Sequence, residues 1–279
     1  MPELRTLGPI LPLTELEEED YFKKCVEEVR EFLTQKLNEA YSIPNTTFQT
    51  ICMFAVIDCL AQEYANYPPI KAKETFCSFV LQFQNKYDFL ELVEPVTLFY
   101  DYEPKIRKTI KYSGLYEFDS KLFHHELEVS IEDLKITLEP TPIVEIIQSQ
   151  KAEEILSIIE SQDGEKAKKV YMEKHRFISL LYKMRSKAVH ELSSLGGEHK
   201  WEIENNNQLP YYREVSRMYV EDKSIVSDDV YELVIPNGFI YDLTLNCIEN
   251  YLDYCINQKR QPFENNINFK RKVDIAWVD

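Results

Sequence analysis

The stretch TTFQTICMFAVIDCLAQEYANYPP, residues 46–69, decides the fold of this chain. Thr46 and Gln49 have the spacing of a capping box, in which side chains bond the free backbone N–H groups at the start of a helix. The turns that follow are apolar nearly all round, and Pro68 and Pro69 end the run because proline cannot continue a helix. A helix that is apolar on every side is normally buried. The sequence therefore predicts a central, fully buried helix.

The segments on both sides of this stretch repeat apolar residues at intervals of three and four, the pattern of amphipathic helices. Predicted helices cover residues 15–40, 71–90, 142–162, 166–195 and 238–258. The fourth of these ends at Gly196 and Gly197, and Asn237 is predicted to cap the fifth. The fold class is therefore mostly α, a helical bundle.

Two regions depart from the helical pattern. The segments VTLFYDY (96–102) and LEVSIEDLKITL (127–138) have strand-like composition, and EPTP follows them. They predict an irregular insertion at about residues 95–140. Further on, REVSRMYV and VYELVIP predict a small β-hairpin at about residues 212–236, with EDKSIVSDD (221–229) as its turn. We expect one domain over residues 1–279, with a minor α+β character.

Composition limits the classes of function. The chain has 279 residues, of which 44% are hydrophobic, and a net charge of -16, which disfavours general affinity for nucleic acid. It has no apolar run long enough for a membrane span, and six cysteines without C-x-x-C spacing. These features favour a cytoplasmic protein whose cysteines are reduced core residues and which does not contact a membrane.

Positive charge is concentrated in one segment. Residues 166–187 contain eight Lys or Arg and a single acid, Glu173. A phosphate of RNA or of a nucleotide would bind here, and we take Lys183, Lys187, His175 and Arg176 as candidate substrate-binding residues. The alternative is that these charges pair with acidic neighbours on a solvated face.

The same segment leads into MRSKAVHEL, residues 184–192, in which Arg185 and His190 are five positions apart. A guanidinium can stabilise a crowded phosphorane, and an imidazole can transfer protons near neutral pH. The two residue types therefore suit RNA cleavage. On an unbroken helix, however, five positions correspond to a rotation of about 140°, so the pair needs a kink or a frayed end to meet.

The motif RSKAVH resembles that of the HEPN superfamily of α-helical bundles, which has an arginine, four to six intervening residues and a histidine late in a helix. The preceding LLYKMR and the apolar FAVIDCLAQEY are similar to bundle helices of HEPN-like bacterial proteins of defence or toxin type. Ser186 stands where active members usually carry Asn, Asp or His, and is expected to support the pair. The resemblance covers the bundle helices and excludes the β-like segments.

The resemblance implies a metal-independent endoribonuclease that needs no cofactor. The ribose 2′-hydroxyl would attack its own phosphate and leave a cyclic phosphate, with His190 moving the proton and Arg185 holding the charge. It also implies a homodimer that brings two motifs into one cleft. The other function that we consider is a catalytically inactive helical module that dimerises or binds a protein partner.

A structural role for the pair is the alternative at residue level. Asp58 lies among apolar residues, where an isolated carboxylate is costly without a partner. We therefore predict a contact between Asp58 and Arg185, although Asp58 could equally bond another polar group. His190 could cap carbonyls at the end of its helix. His199 follows the two glycines and could replace His190 as the functional histidine.

Other motifs in the sequence are weaker indications of function. His124, His125 and Glu126 could bind a metal, but no second ligand cluster accompanies them and a solvated loop is the better interpretation. The sequence contains no P-loop, dinucleotide fingerprint or G-x-S-x-G elbow, so nucleotide hydrolases and Rossmann enzymes are disfavoured.

Overall fold

A computed structural model describes residues 15–65, 71–102, 143–191, 209–221 and 224–263. These residues are mostly helical, which confirms the α class. The helices are α1 (Glu15–Tyr41), α2 (Thr46–Tyr64), α3 (Ala72–Phe83), α4 (residues 95–102), α5 (Ile143–Asp163), α6 (Glu165–His175), α7 (Phe177–Glu191) and α8 (Asn237–Asn257), with a 3-10 turn at Asp88–Glu91. Two strands, β1 (Tyr211–Glu221) and β2 (Ser224–Val234), precede α8.

The main core lies between α1, α2, α3, α7 and α8. Helix α2 packs against the other four, and α8 contacts α1 and α3 as well. The largest buried side chains in this core include Met53, Phe54, Phe76, Phe79, Phe239 and Tyr251. Burying a large apolar side chain contributes about 1.5–3 kcal/mol, so this cluster is the main source of stability.

Helix α2 is central, but it is not buried on every side. Its buried residues include Met53, Ile57 and Leu60, whereas Phe48 keeps 51% of its surface exposed and Cys59 is also exposed. The prediction of a fully buried helix is therefore wrong for this face, because the neighbouring helices cover only part of the circumference. The N-cap is also one residue earlier than predicted: the Asn45 side chain accepts the backbone N–H of Phe48 at 3.0 Å.

The end of α3 is fixed by contacts with α8. Asn250 donates to the carbonyl of Phe83 at 2.7 Å, and Asn246 exchanges two hydrogen bonds of 2.9 Å with Asn85. These bonds satisfy the carbonyl of Phe83 and the N–H of Asn85, so α3 ends at Phe83 and does not reach residue 90.

The start of α8 also differs from the prediction that Asn237 caps the helix, because the N-cap residue is Pro236. Asn237 is the first helical residue.

The segment VTLFYDY is helical, which corrects the prediction of a strand. Glu94 precedes it, and its carboxylate accepts the backbone N–H groups of Val96 at 2.8 Å and Thr97 at 2.7 Å. Pro95 follows at the first helical position, where its fixed φ and missing N–H cost nothing. Capping therefore overrides the β-rich composition. The rest of the predicted insertion, residues 103–140, lies outside the described residues.

A second, smaller core joins α4 to α5 and α6. It consists of six buried apolar residues, Leu98, Phe99, Tyr102, Ile155, Leu156 and Ile159. Tyr171 of α6 packs edge-on against Tyr102, with ring centroids 5.4 Å apart. The start of the predicted insertion is therefore a packed part of the helical fold.

The basic segment forms two helices, which corrects the prediction of one helix over residues 166–195. Arg176 has an extended ψ of 140° and separates α6 from α7. At this break the backbone pairs with the segment before α4: Glu94 donates to the carbonyl of His175 at 2.8 Å, and Phe177 donates to that of Leu92 at 3.0 Å. These two bonds replace the helical bonds that the break removes.

Strands β1 and β2 form an antiparallel hairpin in the region where the sequence predicts one. The pairing runs from Tyr211 opposite Val234 to Glu221 opposite Ser224, which leaves two residues between the strands. Residues 224–229 therefore belong to β2, and the prediction that they form a long turn is wrong. A two-residue connection lets the ladder continue to the tip, so the acidic residues Asp228 and Asp229 are paired as strand residues.

In the described part of the chain, every helix is too short or too polar to cross a membrane. The six cysteines are free thiols. Cys247 and Cys255 are core residues as predicted, but Cys59 is exposed.

Candidate functional site

Arg185 and Asp58 are in contact, as predicted from the sequence. Arg185 Nε donates to Asp58 Oδ2 at 2.7 Å, and Nη2 lies 2.5 Å from the same oxygen. The side chains keep 17% and 18% of their surfaces exposed, so the ion pair is largely covered between α7 and α2. Tyr182, one turn earlier on α7, places its ring 5.7 Å from the guanidinium carbon. The motif arginine therefore faces the bundle.

The ion pair compensates the cost of placing Asp58 between two helices. Burial raises the pKa of the Asp58 carboxyl above its usual value, while the hydrogen bond and the charge of Arg185 act in the opposite direction. A carboxylate at this position depends on the guanidinium to stay ionised. The chemistry that the geometry supports for Arg185 is therefore charge pairing inside the protein.

His190 is separated from Arg185 by the geometry of α7. The helix continues without a break from Phe177 to Glu191, so neither a kink nor an early end lies between the two residues. Five residues of regular helix rotate a side chain by about 140° and advance it by about 7.5 Å. His190 is exposed, whereas Arg185 faces α2. Within one chain the motif pair does not form a cleft.

His190 shares its side of α7 with two of the predicted substrate-binding lysines. Residues 183, 187 and 190 follow the spacing i, i+4 and i+7, which places them within about 60° of one another around the helix. Lys183 and His190 are exposed, and Lys187 is half-buried. We call Lys183, Lys187 and His190 the lysine row. It lies on the face of α7 opposite to Arg185.

The charges next to the lysine row are mixed. Burial lowers the pKa of the Lys183 ammonium, and the positive charges of Lys174 and Lys187 lower it further, while Asp101 opposes them. Lys174 itself donates to Asp101 Oδ2 at 2.6 Å. Lys174 is therefore near the row and partly neutralised.

His175 is not a surface residue, which corrects its prediction as a substrate-binding residue. It is 3% exposed, with Nδ1 3.2 Å from the Thr97 hydroxyl and Nε2 3.1 Å from Asp101 Oδ2. Its ring stacks on Tyr171. Burial lowers the pKa of the His175 imidazole, with Lys174 and Lys183 acting in the same direction and Asp101 opposing. A neutral ring that joins α6 to α4 is not accessible to a phosphate.

Most other charges of the basic segment have acidic partners. Arg176 donates to the carbonyl of Glu91 at 3.2 Å and to the Glu173 carboxylate at 3.4 Å, so it is committed at the break between α6 and α7. Lys168 pairs with Glu160, and Lys169 pairs with Glu165. The solvated-pair interpretation therefore holds for these residues.

The other candidate residues are Ser186 and the remaining histidines. Ser186 follows Arg185 on α7 and is half-buried. His199, His124 and His125 lie outside the described residues. Within the described ranges no group of three His, Cys, Asp or Glu residues could hold a metal ion.

Sequence reasoning missed Asp101 and Thr97. Both belong to the segment that the sequence predicts as the start of an irregular insertion, and nothing in that prediction placed them against the basic segment. On a helix, positions 97 and 101 are one turn apart and face the same way, towards His175. The signal that could have located them is the pair Glu94-Pro95, an acid followed by proline, which starts many helices.

No family model, no curated protein and no solved structure matches this chain.

Proposed function

We propose that this chain is a catalytically silent, HEPN-like helical binding module of the cytoplasm. The single observation that carries the proposal is the pairing of Arg185 with Asp58 on the side of α7 opposite to His190. Charge stabilisation in RNA cleavage needs a cation directed at the phosphate, and here the guanidinium is directed at an internal carboxylate. The exposed thiol of Cys59 suits a reducing compartment.

The competing function is the endoribonuclease that the motif implies. It requires Arg185 to leave Asp58, or a second chain to supply the missing partner to each motif residue. Leaving would abandon a largely buried carboxylate, which typically costs several kcal/mol. The binding module keeps the ion pair and avoids this cost.

The test is an RNA cleavage assay in EDTA. The purified full chain is incubated with a single-stranded and a structured RNA, beside the variants Arg185→Ala and His190→Ala, and the products are resolved by gel electrophoresis. We expect intact RNA in every reaction. Cleavage by the wild-type chain that both variants abolish would contradict the proposal and establish the ribonuclease.

Because Arg185→Ala removes a packing contact, a fold control is needed. His190 is exposed, so His190→Ala and His190→Gln should keep the wild-type circular dichroism spectrum and report on chemistry alone. Cleavage that survives in all variants would point to a contaminating nuclease or to another site, and would reject Arg185 and His190 as its catalytic residues.

The homodimer and the protein partner stay predictions. Sedimentation velocity of the full chain tests the first of them, since a monomer has a mass of 33.1 kDa. A species at twice that mass would support the dimer, and a monomer throughout the micromolar range would contradict it.

A further inference from the structure

We infer that the lysine row of Lys183, Lys187 and His190 binds an extended anion that carries a chain of phosphate groups. The inference rests on the proposed function, since it names a ligand for the binding module. It assigns binding to the face of α7 that is opposite to Arg185, and it leaves Arg185 with its internal role.

Most cations of the basic segment already have acidic partners. In the basic segment, Lys168, Lys169, Lys174, Arg176 and Arg185 each form an ion pair with an acid. Among the described residues, Lys183 and Lys187 have no such pair. Lys166, at the start of α6, has none either, but among the described cations of this segment without an acidic partner only Lys183 and Lys187 are one turn apart on the same helix face.

The lysine row is linear. Lys183 and Lys187 are one turn apart, about 6 Å along the axis, and His190 lies about 4.5 Å further. Lysine is a point charge on a flexible stem and binds phosphate oxygens without a fixed geometry. A linear row of this kind matches successive phosphates along a chain better than it matches one isolated phosphate.

The electrostatics of the row also favour an anion. Partial burial disfavours the charged form of Lys183, and the charges of Lys174 and Lys187 disfavour it further. This second effect is repulsion between neighbouring cations, which a bound anion would relieve. The chain as a whole has a net charge of -16, so a polyanion is repelled elsewhere and must bind locally. Binding should therefore depend on these few residues and weaken steeply with salt.

The experiment uses the full chain and three probes. A fluorescein-labelled 12-mer of oligo-uridine and the equivalent DNA are titrated by anisotropy between 50 and 200 mM salt, in EDTA. Inorganic polyphosphate and orthophosphate then serve as unlabelled competitors. The nucleic acid arms and the polyphosphate arm separate the two sources of a phosphate chain.

The informative variant is the double change Lys183→Gln and Lys187→Gln. Its matched control is Lys24→Gln and Lys36→Gln, which removes the same charge from the exposed face of α1. For a single strand each lost phosphate contact lowers the salt slope by about 0.7, so we expect a loss of about 1.4 and affinity at least about tenfold weaker. The control should stay within about twofold of the wild type.

We expect competition by polyphosphate and none by orthophosphate at equal phosphate concentration. Polyphosphate binding without oligonucleotide binding would still support the inference and would identify the free chain as the source. The inference is overturned by the absence of binding to all three phosphate chains at 50 mM salt, or by equal losses in the double variant and its control. Lysine-dependent binding together with RNA cleavage that depends on Arg185 would uphold the inference and reject the proposed function.

Discussion

Arg185 on α7 and Asp58 on α2 form an ion pair with distances of 2.7 and 2.5 Å, and this pair divides the MRSKAVHEL motif between two faces of one helix. The arginine faces the bundle and the histidine faces outward with the lysine row. The motif therefore has two separate structural environments, although its residues are neighbours in sequence.

The role of this ion pair can be measured through stability. We expect Arg185→Ala to lower the free energy of unfolding by about 2–4 kcal/mol at pH 7, because it leaves Asp58 as a largely buried carboxylate without a partner. The loss should be smaller near pH 4, since a protonated Asp58 needs no cation. Urea denaturation measures both values, and Lys169→Ala in an exposed ion pair is the control, with a loss below about 0.5 kcal/mol. Equal losses at the two pH values would contradict an electrostatic role.

His175 should make stability depend on pH. Its pKa is lowered by burial from a usual value of 6.5, so the unfolded chain binds a proton at a higher pH than the folded chain does. The contribution of His175 to the free energy of unfolding is therefore fully present above pH 6.5. It is lost as the pH falls from 6.5 through the pKa of His175 in the folded state. The groups around the ring are Asp101, Thr97, Tyr171, Lys174 and Lys183.

His175→Gln should remove the slope of the free energy of unfolding against pH below pH 6.5. Above pH 7 the curves of the variant and the wild type should be parallel. The variant loses hydrogen bonds, so its absolute stability is lower throughout and only the slope is informative. Asp101 titrates in a separate window: hydrogen bonds and charge from Lys174 and His175 outweigh burial and lower its pKa from 3.8, so its contribution is lost at more acidic pH. A wild-type slope that persists in His175→Gln would rule this histidine out as its source.

The start of α4 depends on Glu94. We expect Glu94→Ala to cost about 1–2 kcal/mol, because it removes a buried carboxylate that accepts two backbone N–H groups. Chemical denaturation gives the free energy, and hydrogen exchange of the Val96 and Thr97 amides should accelerate. Glu31→Ala on the exposed face of α1 is the control. Unchanged exchange at both amides would show that the cap does not hold this helix.

The side chain of Asn237 bridges α8 to the start of α2. Its Nδ2 donates to the carbonyl of Thr46 at 3.0 Å and to Gln49 Oε1 at 2.5 Å, and its Oδ1 lies 2.7 Å from the Thr50 hydroxyl. Asn237→Asp would suit a cap, but here it places a carboxylate against two acceptors. We expect this variant to lower the free energy of unfolding by about 1–3 kcal/mol.

The matched control for Asn237 is Asn38→Asp, in which the side chain keeps its role as the acceptor of the Tyr241 hydroxyl. The Asn38→Asp variant should have nearly the free energy of unfolding of the wild type. Thermal unfolding of both variants provides the comparison, and an Asn237→Asp variant as stable as the wild type would show that the contacts with Thr46 and Gln49 do not need the amide.

Periodicity alone predicted the helices that carry a continuous apolar face. Helices α1 and α5 begin and end within about two residues of their predicted limits, because the burial of Val26, Leu33 and Leu37 in α1 requires a regular interval. The contact between Asp58 and Arg185 was one of two alternatives that the sequence left open, since a carboxylate in an apolar run needs a polar partner.

Local sequence could not decide where a helix breaks or which side of it is covered. The break at Arg176 exists because Leu92 and Glu94, more than eighty residues earlier, supply backbone partners there. The same tertiary contacts bury His175 and leave Lys183 exposed, although both lie in one basic segment. Helical spacing specifies which residues share a face, but only the packing of distant segments decides which face meets water, because burial depends on the partner that arrives.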